Sequence, residues 1–437
     1  MSIVTTWTIK FGGAIGSSTR TDITSRVLGM TINQPLNISA PSRHSAIITL
    51  ENNNGDFTPD IGNSYSSINW FAQAVFIDVD INSTYQYPVF DGIIESFELY
   101  DDGINSTVQL TVIDPLTFAG RSKIRSAFSA GFDYIETALY KSYLKVSLQD
   151  ALPALDGTSY GFYSLELCNK PLPADPPKDT NVIVDLGLTE NEVVADIVTS
   201  EVAPSAFCVF WPYQIRPLTS SYSIDLILIG PDMIRRNYYN TEYPQLDAHT
   251  FTFVEKTPGT SELPIKTLKV GYNVTELINE ADVRTKETGT TSTAVNQTSI
   301  DAVGIRSVQY SGTILESDAQ AQNRANMLAT RFGEVRFVPN EILLSASQVD
   351  AVADSSAAQE WALLLDAGGG MWQQAYLEYT PTGASSQKTE HVVLAGRSLR
   401  VTPSDTILTL KLLPAVDYQT FVLDSNDLGV LNTNRLG

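Results

Sequence analysis

Residues 89–115 read VFDGIIESFELYDDGINSTVQLTVIDP, and residues 392–414 read VVLAGRSLRVTPSDTILTLKLLP. Each segment has an apolar pair, a glycine two or three residues later, a strand, a polar turn, and a second strand that a proline closes. The second strands carry apolar residues at matching alternate positions, namely Val108, Leu110 and Val112, and Leu408, Leu410 and Leu412. A period of two predicts half-buried β-strands. Glycine-bearing hairpins are common, so the repetition is either a coincidence or a sign of two related β-barrel domains, one near each end of the chain.

The strand pattern covers the first 120 residues. Residues 46–50 and 75–79 alternate in the same way, and turn residues that tolerate positive φ separate the strands, such as DDG at 101–103. The run NNNGD at 52–56 is superficially similar to a calcium loop, but a strand precedes it and no terminal glutamate follows, which favours a hairpin turn. We therefore predict an N-terminal β-barrel domain over residues 1–120.

The middle region, residues 121–255, mixes two patterns. Residues 134–152 are compatible with a helix, although residues 145–148 alternate like a strand. Four prolines at 171–177 mark a loop or linker. The capping box TENE at 189–192 predicts the start of a helix, and two strands follow around 207–213 and 223–229. The region is predicted to be an α+β domain.

Residues 256–437 return to strands around one helical part. A strand is predicted at 265–272, followed by a polar loop near 284–298. Ser317 and Gln320 form a capping box for a helix that ends at Phe332, with Gly333 as a left-handed C-cap. Ser356 and Gln359 open a shorter helix, which ends by the glycines at 368–370, and a polar tail occupies 432–437. We predict a second β-barrel domain with an inserted helical α+β part at about 300–372.

Composition excludes several classes of protein. The 437 residues suggest about three domains, and 28 basic against 49 acidic residues give a net charge of -21. A surface this acidic repels phosphate backbones and argues against nonspecific nucleic-acid binding. No run approaches the roughly 18 apolar residues of a membrane span, and the start MSIVTTWTIKFGG has no signal-peptide pattern.

No motif indicates catalysis, a cofactor or a metal. The three histidines, His44, His249 and His391, have no ligand spacing, and His391 is expected at the surface or at a strand edge. Cys168 and Cys208 are expected as two buried thiols, with one disulfide bridge as the alternative. We therefore expect no catalytic residues, no cofactor-binding residues, no metal ligands and no enzymatic activity.

The order of several short segments resembles that of the minor tail and baseplate hub proteins of long-tailed, siphovirus-like bacteriophages. Each segment consists of turn and strand residues, and their order along the chain carries the resemblance. The segments are DITSRV at 22–27, AIITL at 46–50, NNGDFTP at 53–59, VFDGII at 89–94 with the strand into Asp114, SIDAVGIR at 299–306, the helix at 317–332, and FVLD through LGVL at 421–431.

The resemblance implies a structural hub at the tail tip, or baseplate, that closes or initiates the tail. In such hubs three subunits each contribute two related, tail-tube-like β-barrel domains, so that six barrels form a ring on the six-fold tail tube. The implied partners are other copies of the chain, a distal tail or tail tube protein, the tape measure protein, and further tail-tip or fibre proteins. Genome DNA would only pass through the channel during ejection. Virions of this kind assemble in the host bacterial cytoplasm.

Two other functions compete with the structural hub. A receptor- or carbohydrate-binding tail-tip protein would need an exposed aromatic platform, for which the candidates are Trp7, Trp70, Trp211, Tyr213, Trp361 and Trp372. A tail-associated hydrolase would need a cleft with two carboxylates at a glycosidase separation. If a channel for DNA exists, we expect its wall to be rich in Asp, Glu, Ser, Thr and Asn, with few Lys and Arg, since such a wall does not hold phosphates. The alternative is that the acidity is a general surface property.

Overall fold

The computed structural model describes most of residues 4–117 and 249–415, and between these stretches it describes the backbone of five strands. Several predictions lie outside the described residues. These are the helices over 134–152 and 189–198, the proline-rich loop at 171–177, the two cysteines Cys168 and Cys208, and the segments 421–431 and 432–437.

Twelve strands are described before residue 249. The N-terminal strands are β1 (Thr5–Phe11), β2 (Thr21–Asp22), β3 (Val27–Pro35), β4 (Ser45–Glu51), β5 (Ala74–Ile81), β6 (Tyr85–Asp101) and β7 (Ser106–Ile113), with a 3₁₀ turn at Thr24–Arg26. The middle strands are β8 (Phe128–Tyr134), β9 (Ser159–Ser164), β10 (Ile183–Leu188), β11 (Val209–Ile215) and β12 (Ser223–Ile229). In the middle region β8 pairs with β10, and β12 pairs with both β9 and β11, which confirms the two strands predicted there.

The second half combines strands with helices. Within residues 249–415 the strands are β13 (Thr250–Val254), β14 (Glu262–Pro264), β15 (Thr267–Tyr272), β16 (Glu280–Arg284), β17 (Thr291–Val295), β18 (Ser307–Tyr310), β19 (Phe337–Ser345), β20 (Gln374–Tyr379), β21 (Lys388–Val401) and β22 (Thr406–Pro414). The helices there are α1 (Gln297–Val303), α2 (Asp318–Arg331), α3 (Ala346–Val352) and α4 (Ser355–Leu365).

One sheet of 14 strands joins the two ends of the chain. It contains two sets of five strands with the same pairing order. The N-terminal unit runs β5-β6-β7-β4-β3, and the C-terminal unit runs β20-β21-β22-β19-β15, with every pair antiparallel. The units differ at their flanks, because β1 joins β5 antiparallel whereas β13 joins β20 parallel. Among the described strands the sheet stays open and no barrel closes within one chain.

The repeated hairpins occupy equivalent places in the two units. Ile93 pairs with Ala74 and Ile113, and Val393 pairs with Gln374 and Leu413, so each of these three residues in β5, β6 and β7 lies 300 positions before its counterpart (93 + 300 = 393). The pairing with the second strand is interrupted at the same place, after Ile94 and after Leu394. The repetition therefore includes strand order, register and a bulge, and is more than a shared hairpin pattern.

The glycines of the two sequence segments are not equivalent, although the sequence pattern suggests that they are. At an offset of 300, Gly92 corresponds to Val392, and Gly396 corresponds to Ser96. Gly92 is needed for close packing, because a Cβ atom there would lie 2.6 Å from Val112 Cγ1 and 2.7 Å from the carbonyl oxygen of Ile113. Gly396 follows the bulge and has a φ of 147°.

The prediction of a hairpin turn at 52–56 is wrong. The strand before it, β4, pairs with β3 and β7, and the next strand, β5, pairs with β1 and β6, so the loop crosses from one part of the sheet to another. The buried Asn52 organises this loop, since its side chain accepts from the Phe57 amide at 2.8 Å and donates to the Thr58 and Ser106 hydroxyls at 3.0 Å. These contacts replace the ladder bonds of a hairpin.

The capping-box helix is confirmed as α2. Ser317 and Gln320 exchange both capping hydrogen bonds at 3.3 Å, and the helix packs through Ala321, Ala325 and Leu328. Gly333 is not a left-handed C-cap, which corrects the prediction. A Cβ atom there would lie 2.1 Å from the carbonyl oxygen of Ala329, so the requirement is close packing and not positive φ.

Other boundaries in the helical part also differ from the prediction. The predicted polar loop at 284–298 contains β17 and the start of α1, because Ser292 and Ala294 alternate in a buried strand face. The N-cap of α4 is Asp354, which accepts from the Ser356 amide at 3.0 Å. The predicted insert at about 300–372 contains β19, which belongs to the main sheet and divides the insert into two parts.

We predict that Gly92→Ala destabilises the protein by about 1–3 kcal/mol, because the added methyl group overlaps packed atoms of β7. Urea unfolding measures the change. Ser96→Ala, which lies in the same strand outside the core, serves as the control and should stay within about 0.5 kcal/mol of the parent protein. Equal stability of the two variants would contradict the packing role of Gly92.

Candidate assembly surface

The two units meet along one pair of strands. Residues 396–401 of β21 pair antiparallel with residues 30–35 of β3, so that Arg397 is opposite Gln34 and Leu399 is opposite Ile32. The Ser398 hydroxyl adds a side-chain bond across this junction by donating to Asn33 Oδ1 at 2.7 Å. We call this pairing the internal junction.

A buried arginine fastens the internal junction. Arg397 is 4% exposed, and its Nε atom donates to Gln34 Oε1 at 2.6 Å. Its other nitrogens donate to the carbonyl oxygen of Leu364 in α4 and, at 3.3 Å, to that of Val89 in β6. One side chain therefore connects β3, β6, β21 and α4, and its buried guanidinium group is hydrogen-bonded through all three nitrogens.

Burial changes the proton affinity of the groups around this arginine. Burial lowers the pKa of Arg397 to about 10, against the opposing influence of the Asp366 carboxylate. Burial, and secondly the charge of Arg397, lower the pKa of His44 to about 3. His44 is therefore neutral at pH 7.

The strands equivalent to those of the internal junction each lack one described neighbour, since β6 has two where β21 has three, and β15 has one where β3 has two. In β6, residues 96–101 pair with β7 on one side, and no described strand pairs with them on the other. The edge strand β15, equivalent to β3, pairs only with β19 among the described strands. We call residues 96–101 the β6 edge and residues 267–272 the β15 edge.

Missing neighbours explain the exposure of apolar side chains at these edges. Leu399 is 1% exposed at the internal junction, whereas its counterpart Leu99 is 41% exposed. Exposed large hydrophobic side chains on or beside the two edges are Leu99, Tyr100, Ile104, Tyr272 and Phe337, which are half of the ten found among the described residues. Contiguous exposed apolar groups on open strand edges are typical of surfaces that associate.

The face of the sheet that points away from the core is polar and nearly neutral. Along β6, β7, β4, β3, β21, β22, β19 and β15 its residues alternate with the buried ones and are rich in serine, threonine and asparagine. The charged members among the described residues are Glu51, Glu95, Glu98 and Glu341, and Lys269, Arg400 and Lys411. We call this surface the core-distal face.

Two segments that carry the family resemblance meet in space. Arg26 forms an ion pair with Asp56, and its other terminal nitrogen lies 3.8 Å from Glu51. Asp22 caps the following turn by accepting from the Thr24 amide at 2.8 Å, and hydrogen bonds from Thr24 lower the pKa of Asp22. The segments 22–27 and 53–59 thus have a structural role.

The structure separates the other chemical candidates. His249 contacts Glu360 at 2.6 Å, and His391, near the start of β21, contacts Gln374 at 2.9 Å, stacks on Tyr376 and is partly exposed. The described residues contain no group of three or more His, Cys, Asp or Glu that could hold a metal. None of the described helices has the length and apolar character needed to cross a membrane.

The tryptophans that the structure describes mostly belong to the core. Trp70 is 4% exposed, and Trp361 and Trp372 are fully buried. Trp7 is partly buried, and its Nε1 atom donates to Thr406 Oγ1 at 3.3 Å. The side chains of Trp211 and Tyr213 lie outside the described residues. The buried tryptophans offer no platform for stacking on sugars.

Replacing Arg397 with leucine should destabilise the protein by several kcal/mol, because carbonyl groups in α4 and β6 and the Gln34 amide lose a buried donor, at about 1–3 kcal/mol each. Thermal and urea unfolding measure the loss. The matched control is Arg400→Leu, since Arg400 lies in the same strand and is exposed on the other face. Similar losses for both variants would contradict the role of Arg397.

The buried neutral histidine predicts a pH dependence. Unfolded His44 binds a proton near its ordinary value of 6.5, and folded His44 only at about 3, so the unfolded chain binds more protons between these values. Stability from this group is present above pH 6.5 and is lost as the pH falls toward 3, by up to about 1.4 kcal/mol per unit. Unfolding free energies of His44→Gln should therefore fall less steeply between pH 7 and 4.5 than those of the parent. Parallel curves for the two proteins would contradict this explanation.

Comparison with known proteins supports the resemblance at the level of the fold. No family model and no curated protein matches the sequence. Among solved structures, the tail protein from Neisseria meningitidis MC58 is similar over 94% of this chain and 99% of its own, with a TM-score of 0.53 at 11% identity. The 43 kDa tail protein of prophage MuSo2 from Shewanella oneidensis is similar over 94% and 99%, with a TM-score of 0.52 at 8% identity. The chain therefore shares the fold of two solved tail proteins, one of them from a prophage.

Proposed function

We propose that this protein is a structural hub of a phage tail, located at the tail tip or baseplate, and that it acts as a homotrimer without enzymatic activity. The observation that supports the proposal is the repeated five-strand unit. One junction between units is formed inside the chain, and the two strands that would form the same junction again are left open. The N-terminal unit has an open strand edge at β6, and the C-terminal unit has one at β15. Because these are two different edges, the β6 edge of one copy can pair with the β15 edge of the next, and copies can join head to tail.

Three copies with two units each give six units in a ring. Each chain contributes eight consecutive strands to such a wall, from β6 through β3 and β21 to β15, so three chains contribute 3 × 8 = 24 strands. At a strand spacing of about 4.8 Å the backbone circumference is about 115 Å and the diameter about 37 Å, and strand tilt enlarges both. Side chains reduce the opening to about 27 Å, since each layer of side chains is about 5 Å thick. This is wide enough for a DNA duplex to pass.

In this arrangement the two predicted β-barrel domains are arcs of one larger barrel, which closes only in the trimer. The division into residues 1–120, 121–255 and 256–437 then separates the N-terminal hub domain, the α+β domain and the second hub domain. The core-distal face becomes the channel wall. Its residues include many serines, threonines and asparagines, with four acidic and three basic side chains among the described residues. The excess of acidic residues would then lie elsewhere on the surface. This fits the alternative interpretation, in which the acidity is a general surface property.

The proposed partners follow from the position of a hub in a tail. A ring of six units matches a six-fold tube, so the ring would dock on a distal tail or tail tube protein. The tape measure protein and further tail-tip or fibre proteins would contact the hub, and genome DNA would pass through it during ejection. Assembly would take place in the host bacterial cytoplasm.

Mass measurement and electron microscopy of the purified chain test the proposal. We expect a particle of three copies whose top view is a ring with apparent six-fold symmetry and an open centre. A monomer at all concentrations, or a ring of six identical copies, would contradict the proposed hub. Arg400→Glu, which alters only the core-distal face, should leave the number of copies unchanged.

A further inference from the structure

We propose that the β6 edge of one copy pairs antiparallel with the β15 edge of the next copy, in the register that the internal junction already uses. This inference rests on the proposed trimer and names its contact surface. It commits to a second copy of the same chain as the occupant of both edges. The supporting observations are the internal junction itself and the chemistry of the two open edges.

Strand β6 of the N-terminal unit corresponds to β21 of the C-terminal unit. The two strands correspond at an offset of 300, so residues 396–401, which pair with β3, correspond to residues 96–101. These are the residues of β6 that lack a neighbour among the described strands. The open part of β6 is therefore the counterpart of the part of β21 that forms the internal junction.

Strand β15 of the C-terminal unit corresponds to β3 of the N-terminal unit. Corresponding ladders run Met30–Ile48–Leu110 in the N-terminal unit and Leu268–Ile342–Leu410 in the C-terminal unit. Because Leu110 and Leu410 correspond, Met30 and Leu268 correspond as well, at an offset of 238. The irregularity between β15 and β19 leaves Asn340 of β19 without an opposite residue. No residue of β15 is skipped, so the offset of 238 applies along the whole of β15.

These two correspondences, applied to the internal junction, give the register between copies. At the internal junction Val401, Leu399 and Arg397 are opposite Met30, Ile32 and Gln34. The corresponding pairs between copies are Asp101 with Leu268, Leu99 with Val270, and Phe97 with Tyr272. On the other face of the strands, the pair of Arg400 with Thr31 becomes Tyr100 with Lys269.

Two of the three pairs on the core side join apolar or aromatic residues, and the third places Asp101 opposite Leu268. Leu99, Val270 and Leu268 are apolar and partly exposed, and each lies where its counterpart is covered by the internal junction. Tyr272 is 65% exposed and makes an edge-to-face contact with the exposed Phe337 at 5.0 Å, so Phe97 of the next copy would join an existing aromatic pair. Aromatic side chains exposed in the single chain would thus be buried in the assembly.

The charges on the two edges are opposite in sign. The β6 edge and its turn carry Glu98, Asp101 and Asp102, whereas Lys266 and Lys269 precede and occupy the β15 edge. In the inferred register Lys269 lies diagonal to Glu98 and Asp102. Opposite charges favour this pairing and disfavour pairing of two like edges.

The other sheet ends are less suited to this role. The end strands β2 and β14 have two and three residues, so they offer few backbone groups to a partner. The open part of β6 and the β15 edge each have six residues (96–101 and 267–272), the same length as the internal junction. Short end strands limit unwanted pairing, and long open strands invite it.

Disulfide crosslinking tests the register. In full-length chains with Cys168→Ser and Cys208→Ser, Tyr100→Cys is combined with Lys269→Cys, because opposite residues of a strand pair lie close enough for a disulfide. The matched control combines Tyr100→Cys with Thr267→Cys, which is shifted by two residues on the same face and lies too far away. After oxidation, we expect covalent dimers and closed trimers for the first pair, and only the background of the single-cysteine variants for the control.

The outcomes distinguish the inferred contact from the proposed function. A particle of three copies without crosslinking of positions 100 and 269, or with equal crosslinking of positions 100 and 267, would refute the register while the trimeric hub stands. A chain that stays monomeric by mass before oxidation would refute the trimer and this inference together. Crosslinking confined to the first pair supports both.

Discussion

The buried guanidinium group of Arg397 is the interaction on which the arrangement of the two units depends. A charge taken out of water costs several kcal/mol unless hydrogen bonds replace its hydration. Here the amide of Gln34 and the carbonyl groups of Leu364 and Val89 supply those bonds. Because these groups belong to three elements from opposite ends of the chain, the arginine is satisfied only when both units are in place.

The internal junction and the proposed junction between copies would use different chemistry at the same position. Arg397 lies opposite Gln34 within the chain, and Phe97 corresponds to Arg397 on the open edge. Within one chain the partner is always present, so a buried charge can be satisfied once, on folding. Between copies, each association would have to remove the hydration of a charge, whereas burial of apolar surface contributes about 25 cal/mol per Å². An apolar side chain is therefore the favourable choice for a junction that forms on assembly.

Local patterns in the sequence predicted the strands of the repeat and the capping-box helix, because alternation and capping depend on neighbouring residues. They failed where distant strands decide the outcome. The loop after β4 was predicted as a hairpin since the partner of β5 cannot be read from nearby residues. Gly333 was assigned a left-handed conformation, although contacts with Ala329 require the glycine. The sequence did contain a signal for the buried arginine, because Arg397 lies two residues before Leu399 and four before Val401, on the same face of the strand. Without knowledge of the neighbouring strand, however, an arginine at such a position cannot be told from a polar surface residue.

In the proposed assembly, another copy of the chain covers the β6 edge and the β15 edge. Hydrogen exchange of backbone amides in the free chain and in the assembled particle tests this most directly. The account predicts that amides of residues 96–101 and 267–272 become protected together on assembly, while those of residues 396–401 and 30–35 are protected in both states. An assembled particle in which residues 96–101 and 267–272 still exchange as fast as in the free chain would contradict it.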